Sequence, residues 1–172
     1  MIEGIYSTLS EVIMNTTRSL IGLGVWIGIC FGAAFVGSIF TTPSVPTWYA
    51  GLAKPTWTPP NWIFGPVWSV LYLMMALAAW LVWRRNGLAA ASIPITLFMV
   101  QLGLNVMWSI LFFGLKMPGV AFGDIIILWF AILATAIAFW RATPLAGYLL
   151  LPYLIWVTFA VGLNFAIWRM NA

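Results

Sequence analysis

Residues 47–68 read TWYAGLAKPTWTPPNWIFGPVW and connect two apolar runs that are each long enough to cross a membrane. The segment holds four of the chain's 12 Trp and four of its 10 Pro. This density is unusual for a solvated connector, because Trp gains nothing from lying in water. Proline fixes the backbone, so the segment is stiff as well as aromatic. We interpret residues 48–60 as a rigid cover over an apolar space, followed by a helix that begins at Asn61–Trp62.

The composition excludes a soluble globular domain. Of the 172 residues, 64% are apolar and only 6% are charged, whereas soluble domains carry about 25% charged residues. The net charge of +4 forms no basic patch that could bind a nucleic acid. The chain has no His and a single Cys30, which excludes imidazole metal sites, His-based catalysis and an internal disulfide. We therefore expect an integral, multi-pass membrane protein in contact with lipid, without a metal site or a nucleic-acid partner.

Hydropathy and turn signals divide the chain into two parts. Residues 1–19 are predicted to be an N-terminal extension that is interfacial or disordered. Residues 20–172 are predicted to form one all-α membrane domain, because about 20 apolar residues in a helix cross the hydrocarbon layer. Pro, Gly and charged residues separate five spans, at about 20–40, 62–83, 93–115, 120–140 and 144–168. The expected fold is a five-transmembrane-helix bundle whose Pro/Trp-rich first loop closes a pocket.

The basic residues indicate an orientation in the membrane. In a five-span bundle, four of the seven lie on the side of the N-terminus and three on the opposite side. Because Lys and Arg are more frequent in cytoplasmic loops, this count favours a cytoplasmic N-terminus. The two groups are Arg18, Arg84, Arg85 and Arg141, and Lys54, Lys116 and Arg169.

The first span carries glycines four residues apart, at Gly24, Gly28 and Gly32. Small residues at this spacing let two helix backbones approach closely in lipid. The close approach could occur inside the bundle or at a seam between two copies of the chain. We favour packing inside the bundle.

Three of the spans carry aromatic and polar side chains at helical spacing, so that each presents one such face. If the three faces converge, they enclose an apolar pocket with Asn amides as hydrogen-bonding points, which suits a large flat ligand. The positions are Phe64, Trp68 and Tyr72 in the second span, Gln101, Asn105, Trp108, Ser109 and Phe112 in the third, and Tyr153, Trp156, Ala160 and Asn164 in the fifth.

Other interpretations of these residues stay open. The Asn and Gln amides could simply join helices, and many Trp residues could form the aromatic belt at the membrane surface. We assign a belt or lipid-facing position to five of them. Asp124 either carries protons or stabilises the start of the fourth helix, and we favour the latter. The five belt residues are Trp26, Trp80, Trp83, Trp129 and Trp140.

Several separate motifs resemble the translocator protein family, whose members are also called tryptophan-rich sensory proteins or peripheral benzodiazepine receptors. The resemblance covers the chain from about residue 20 onward, in the family's order and spacing. Its blocks are Trp48-Tyr49…Lys54-Pro55-x-Trp57-x-Pro59-Pro60, Phe64-Gly65-Pro66-Val67-Trp68, Gln101-x3-Asn105-x2-Trp108-Ser109, Ala121-x2-Asp124 and Pro152-Tyr153-x2-Trp156-x2-Phe159-Ala160-x2-Leu163-Asn164.

The resemblance implies a five-helix membrane bundle, often a homodimer, that binds porphyrins and synthetic benzodiazepine-type or isoquinoline ligands. Protoporphyrin IX or haem is then the expected ligand, and no cofactor is required. No residue is expected to be catalytic. Transferred by motif, the ligand-binding residues are Trp48 in the cover and, in the pocket lining, Pro59, Phe64, Trp68, Tyr72, Asn105, Trp108, Ser109, Trp156, Ala160 and Asn164.

Three functions are compatible with this resemblance. The first is a receptor or translocator that binds porphyrin and takes part in tetrapyrrole sensing, trafficking or regulation. The second is an enzyme that degrades porphyrin in light and oxygen, although no acid–base pair or nucleophile is visible. The third is a scaffold that binds sterol or lipid. Phe165 replaces the central Tyr of the family's sterol pattern, which argues against sterol and favours a bacterial origin.

Overall fold

A computed structural model describes residues 2–172, with side chains from residue 16 onward except that of Ala89. Five long helices form the fold, and each contains a stretch that is long and apolar enough to cross a membrane. The prediction of an all-α five-helix membrane bundle is confirmed. The helices are α1 (Ile2–Ser44), α2 (Asn61–Ala90), α3 (Ser92–Ser109), α4 (Pro118–Ala142) and α5 (Pro144–Met170).

The helices extend beyond several of the predicted spans. α1 continues to Ser44, and α4 begins at Pro118 because proline fits the first turn of a helix. α2 runs to Ala90, but Gly87 interrupts it with φ 69° and ψ 172°, values that favour glycine. Most side chains of residues 1–19 lie outside the described residues, so their predicted interfacial or disordered character stays a prediction.

The end of α3 widens into a turn that moves two aromatic side chains inward. Ile110–Gly114 form a π-helical turn, in which an N–H bonds to the carbonyl five residues earlier. The Leu115 amide, for example, donates to the Ile110 carbonyl over 2.8 Å. Lys116 then takes a left-handed conformation, with φ 56°, and reverses the chain into α4. As a result, Phe112 and Phe113 are both buried under the loop that follows α1.

The five helices form a closed ring in the order α1, α2, α5, α4, α3. Short connections make α2, α3, α4 and α5 run alternately up and down, since only Ala91 separates α2 from α3 and only Thr143 separates α4 from α5. α2 buries a face rich in small residues, including Ala76 and Ala79, against the other helices. Residues 45–60, here called the cover loop, join α1 to α2 across one end of the ring.

The expectation that Gly24, Gly28 and Gly32 pack inside the bundle is wrong. A Cβ added at any of the three would meet no atom within 4 Å. α1 instead turns a different face inward, on which Trp26, Cys30 and Gly37 are buried. The two faces lie on opposite sides of the helix, because positions two residues apart are separated by about 200°. The predicted homodimer stays a prediction.

Trp26 also departs from its expected place in the lipid. Its side chain is only 6% exposed and packs edge-on against Phe98, with the ring centroids 5.9 Å apart. Trp140, which was assigned to the same belt or lipid-facing group, does face outward and is 54% exposed. An apolar run gives no polar face by which sequence could tell the inward Trp from the outward one.

Gly147 tests how closely α4 and α5 pack. A Cβ at this position would lie 2.5 Å from Cβ and 2.8 Å from Cα of Trp140, so the backbone of α4 would have to move. We expect Gly147→Ala to destabilise the protein by about 1–3 kcal/mol and to lower Tm in detergent by several degrees. Gly162→Ala is the matched control on the same helix, because it meets no neighbour within 4 Å and should leave Tm unchanged or raise it slightly. Equal Tm values for the two variants would contradict the close packing.

Candidate functional site

A cavity of about 510 Å³ lies beneath the cover loop, between α1, α2, α3 and α5. Its size falls within the range of small-molecule sites, about 300–1,000 Å³. No residue of α4 lines it, so α4 supports the site from behind. The cavity therefore occupies one half of the bundle, and the other half is the packed core around α2.

Nine of the eleven predicted ligand-binding residues line this cavity, and they come from three helices. α2 contributes Phe64, Trp68 and Tyr72, α3 contributes Asn105, Trp108 and Ser109, and α5 contributes Trp156, Ala160 and Asn164. The three aromatic-polar faces therefore converge as the spacing predicts. Whether these residues bind a ligand stays a prediction.

Trp48 and Pro59 do not line the cavity. Trp48 packs edge-on against Phe112, with the ring centroids 5.7 Å apart, and so supports the loop from behind. Tyr49, its neighbour, faces the cavity instead. Burial raises the pKa of the Tyr49 hydroxyl above its usual value, so this group remains a neutral phenol at physiological pH.

One wall of the cavity is formed by α1, which was not among the predicted ligand-binding elements. This wall combines Phe31 with small and hydroxyl-bearing residues, among them Ala34, Ser38 and Thr42. Gly37 leaves room for Ser109, because a Cβ there would lie 3.2 Å from the Ser109 Oγ. The run of Ser and Thr at the end of the first span, before Pro43, was the available signal.

The carboxamide of Asn105 forms hydrogen bonds that link three helices. Its Oδ1 accepts a hydrogen bond from the Tyr72 hydroxyl over 2.5 Å, and its Nδ2 donates to the Tyr153 hydroxyl over 2.9 Å. Tyr72 belongs to α2 and Tyr153 to α5, and all three side chains are buried. The amide therefore fixes the inner end of the cavity and is not a free hydrogen-bonding point.

Asn164 forms a second bridge nearer the cover loop. Its Oδ1 accepts from the Trp108 indole Nε1 over 2.9 Å, and its Nδ2 donates to the Pro118 carbonyl over 2.8 Å. The side chain thus joins α5 to α3 and to the start of α4. Each amide donates one hydrogen bond to the protein and accepts one, and whether Asn105 and Asn164 also bind a ligand stays a prediction.

Aromatic rings form the remaining walls. Trp156 lies against Phe64 and Phe159, with ring centroids 5.8 and 5.6 Å apart. On the α3 side, Trp108 stacks on Phe112 at 5.2 Å. Ser109 Oγ has no hydrogen-bond partner within residues 16–172, which leaves it available to a ligand. The site therefore offers broad ring surfaces and few free polar atoms.

Hydrogen bonds hold the residue that precedes the cover loop and the middle of the loop itself. At its start, the Ser44 hydroxyl donates to the Phe113 carbonyl over 2.9 Å. Further along, the Lys54 ammonium donates to the carbonyls of Tyr49, Ala50 and Leu52 and lies over the Tyr49 ring. These contacts close the loop on itself.

A second set of contacts attaches the loop to α5. The Asn171 carboxamide pairs with the backbone of Ala53, accepting from its N–H and donating to its carbonyl, each over 2.9 Å. Trp57 packs edge-on against Phe159 with ring centroids 5.6 Å apart. The cavity is thus closed above but open on the side between α1 and α2, where the lining residues Ser38, Gly65 and Ser69 are exposed.

Asp124 lies outside the cavity and in the second turn of α4, since that helix begins at Pro118. The favourable effect of a helix N-terminus on an acid is confined to the first turn, so our favoured explanation of Asp124 is wrong. Its Oδ2 is buried without a hydrogen-bond partner among the described residues.

The TspO/MBR family model matches residues 26–169. The chain belongs to the TspO/MBR family. It is 49% identical over 138 residues to the tryptophan-rich protein TspO of Archaeoglobus fulgidus, covering 80% of this chain and 89% of that one. It is 43% identical over 139 residues to the translocator protein of Homo sapiens, with 80% and 82% covered. It is 36% identical over 146 residues to the tryptophan-rich sensory protein of Cereibacter sphaeroides, with 85% and 89% covered.

Family membership and the five apolar helices make this an integral, multi-pass membrane protein. The resemblance found in the separate sequence motifs is confirmed. The relatives include an archaeal, a bacterial and a human protein, so the expected bacterial origin stays a prediction.

The attachment of the cover loop to α5 can be tested with Asn171→Ala. The substitution removes two hydrogen bonds to Ala53, each worth about 1 kcal/mol, so the loop should open at least about tenfold more often. Hydrogen exchange followed by mass spectrometry should show faster exchange for residues 52–58. Asn86→Ala, at the far end of α2, is the control and should leave the loop unchanged. Normal loop exchange in Asn171→Ala would mean that the aromatic contacts alone hold the cover.

Proposed function

We propose that this protein binds porphyrin, or a similarly flat hydrophobic molecule, in the cavity beneath the cover loop. Its role would be in tetrapyrrole sensing, trafficking or regulation. One observation carries the proposal: the cavity has aromatic walls on three helices, whereas the Asn amides that could select a polar ligand are already paired with the protein. Such walls favour a ligand with a large apolar surface and delocalised rings.

The open side of the cavity suits the polar edge of a porphyrin. Within residues 16–172 no charged side chain lines the cavity, so the two propionates of protoporphyrin IX would face the rim rather than the interior. Thr42 and Asn61 are exposed there, and Asn61 begins α2. A helix N-terminus favours negative charge, because its first N–H groups have no partner within the helix. We therefore expect the macrocycle to enter with its apolar edge toward Tyr72.

The donor atoms around the cavity favour a metal-free ligand. The lining contains no imidazole, thiolate or thioether, the groups that most often bind haem iron. Without those groups in the lining, we expect protoporphyrin IX to bind at least as well as haem. No cofactor is needed for binding of this kind.

Sterol is a weaker candidate on structural grounds as well. Phe165, at the centre of the pattern that suggested sterol binding, is 46% exposed and packs with Phe122 and Trp168 on the outer face of α4 and α5. It does not line the cavity. A sterol bound there would occupy a site different from the one proposed for porphyrin.

The double substitution Trp68→Phe and Trp156→Phe tests the proposal. Both indoles line the cavity, and their loss should raise the Kd for protoporphyrin IX about tenfold, at roughly 0.5–1 kcal/mol for each ring contact. The shift of the porphyrin Soret band on titration measures the affinity without relying on Trp fluorescence. Trp129→Phe with Trp140→Phe is the control, because neither residue lines the cavity. If both double variants bind like the unmodified protein, the porphyrin does not occupy this cavity.

A second candidate function is that of an enzyme that degrades porphyrin in light and oxygen, and one observation favours it. Three indoles, those of Trp68, Trp108 and Trp156, line the cavity and would contact a bound porphyrin that can be excited by light. On our main proposal the Soret band of bound porphyrin fades under light in air no faster than that of free porphyrin in detergent. Faster loss with a defined product, absent in the Trp68→Phe and Trp156→Phe variant when it is saturated with ligand, would establish the enzyme instead.

A further inference from the structure

A second cavity, of about 690 Å³, lies at the opposite end of the bundle from the cover loop. It is a groove between the first part of α1 and the end of α2. The residues that line it are Thr17, Arg18, Ile21, Gly22, Val25, Trp26, Ile29, Trp83 and Leu88. We propose that this groove binds one anionic phospholipid, with its phosphate on Arg18 and Arg84 and one acyl chain along α1.

One arginine lines the outer end of the groove, and a second lies nearby on α2. Arg18 lines it directly. Arg84 lies over the Trp80 ring, 4.5 Å from the ring centre, and the Trp80 Nε1 donates to the Ser19 carbonyl over 2.8 Å. This chain of contacts brings Arg84 next to the residue that follows Arg18. A pair of guanidinium groups is well suited to a phosphate, because each offers a planar fork of N–H donors.

The positive charge at this end is not neutralised within residues 16–172. Asp124 is the one acidic residue in that range, and it is buried in α4 and does not line the groove. A pair of arginines with no acidic partner among residues 16–172 would attract anionic lipid at the membrane surface. The count of basic residues favours a cytoplasmic position for this end, and anionic lipids are concentrated on that side.

Apart from Thr17 and Arg18, the residues that line the groove are apolar, and two Trp rings form its floor. A Cβ on Gly22 would overlap the Trp83 ring, so glycine is what lets Trp83 lie across α1. Trp26 closes the groove from below and is buried. The residues above it, Ile21 and Val25, are more than half exposed and form an open edge toward lipid.

The length of the groove matches one acyl chain. From Arg18 to Ile29 α1 rises about 16 Å, at 1.5 Å per residue. This is roughly half of the 30 Å hydrocarbon layer, and therefore the depth of one leaflet. Arg18 lies just before the apolar run begins at Leu20, which is the level of the lipid phosphates. Charge and length thus select the same kind of molecule, a phospholipid in one leaflet.

The test uses the full chain, purified in detergent and freed of lipid. Native mass spectrometry would measure binding of phosphatidylglycerol and of phosphatidylcholine with the same acyl chains. We expect one tightly bound phosphatidylglycerol for each chain and at least fivefold weaker binding of phosphatidylcholine. Arg18→Gln with Arg84→Gln should weaken the binding of phosphatidylglycerol about 25-fold, at about fivefold for each arginine near the surface.

A second variant tests the acyl-chain part of the groove by filling it. Val25→Trp adds a large ring at the exposed edge and should reduce binding of both lipids. The matched controls are Arg141→Gln, on the same side of the membrane, and Val100→Trp, at a similar depth on α3. Neither residue lines the groove, so both variants should bind like the unmodified protein.

Three results would overturn the proposal. Phosphatidylglycerol binding that survives both the double arginine substitution and Val25→Trp would place the lipid elsewhere. Equal binding of the two lipids would show that charge plays no part. Displacement of the lipid by glycerol phosphate, which has the phosphate without the chains, would show that the groove contributes nothing beyond its arginines.

Discussion

The Asn105 bridge holds the bundle in the shape that its cavity requires. A carboxamide and two phenolic hydroxyls are buried together, and each would cost about 1–3 kcal/mol if it lacked a partner. Because Tyr72, Asn105 and Tyr153 satisfy one another, the helices that carry them are fixed at one separation and one rotation. Asn164 does the same nearer the surface. Between these two bridges the cavity has walls that cannot close by helix rotation.

This arrangement determines what the cavity can recognise. Its strongest polar groups are already paired with each other, and rings cover most of the remaining wall. If the cavity binds a ligand as proposed, selection would rest on the shape and flatness of that ligand more than on hydrogen bonds, with Ser109 and the backbone at the rim as the exceptions. Such a site would accept several flat molecules of similar size, because exchanging one for another would leave no buried polar atom unpaired.

Much of the site could be predicted because its residue types stand out in an apolar sequence. Trp, Tyr and Asn are rare enough inside an apolar helix that their spacing identifies a face, and the three faces on α2, α3 and α5 do converge. On α1 the signal is weaker, a run of Ser and Thr near the end of the span, since the rest of the span is apolar all round and does not indicate which side faces inward. Trp48 was misplaced because a loop has no periodicity from which a side-chain direction can be read. The partners of Asn105 lie 33 and 48 residues away along the chain, and spacing within one helix says nothing about them.

The attachment of the cover loop to α5 has a consequence for how the protein is made. The loop leaves the ribosome before α3, α4 and α5, yet Phe113, Phe159 and Asn171, which hold it, all belong to later parts of the chain. During synthesis the first two spans must therefore enter the membrane with this Trp-rich segment unsupported. The cavity beneath the cover loop cannot be enclosed until the last helix has been inserted. Attachment of the loop is therefore among the final steps of assembly.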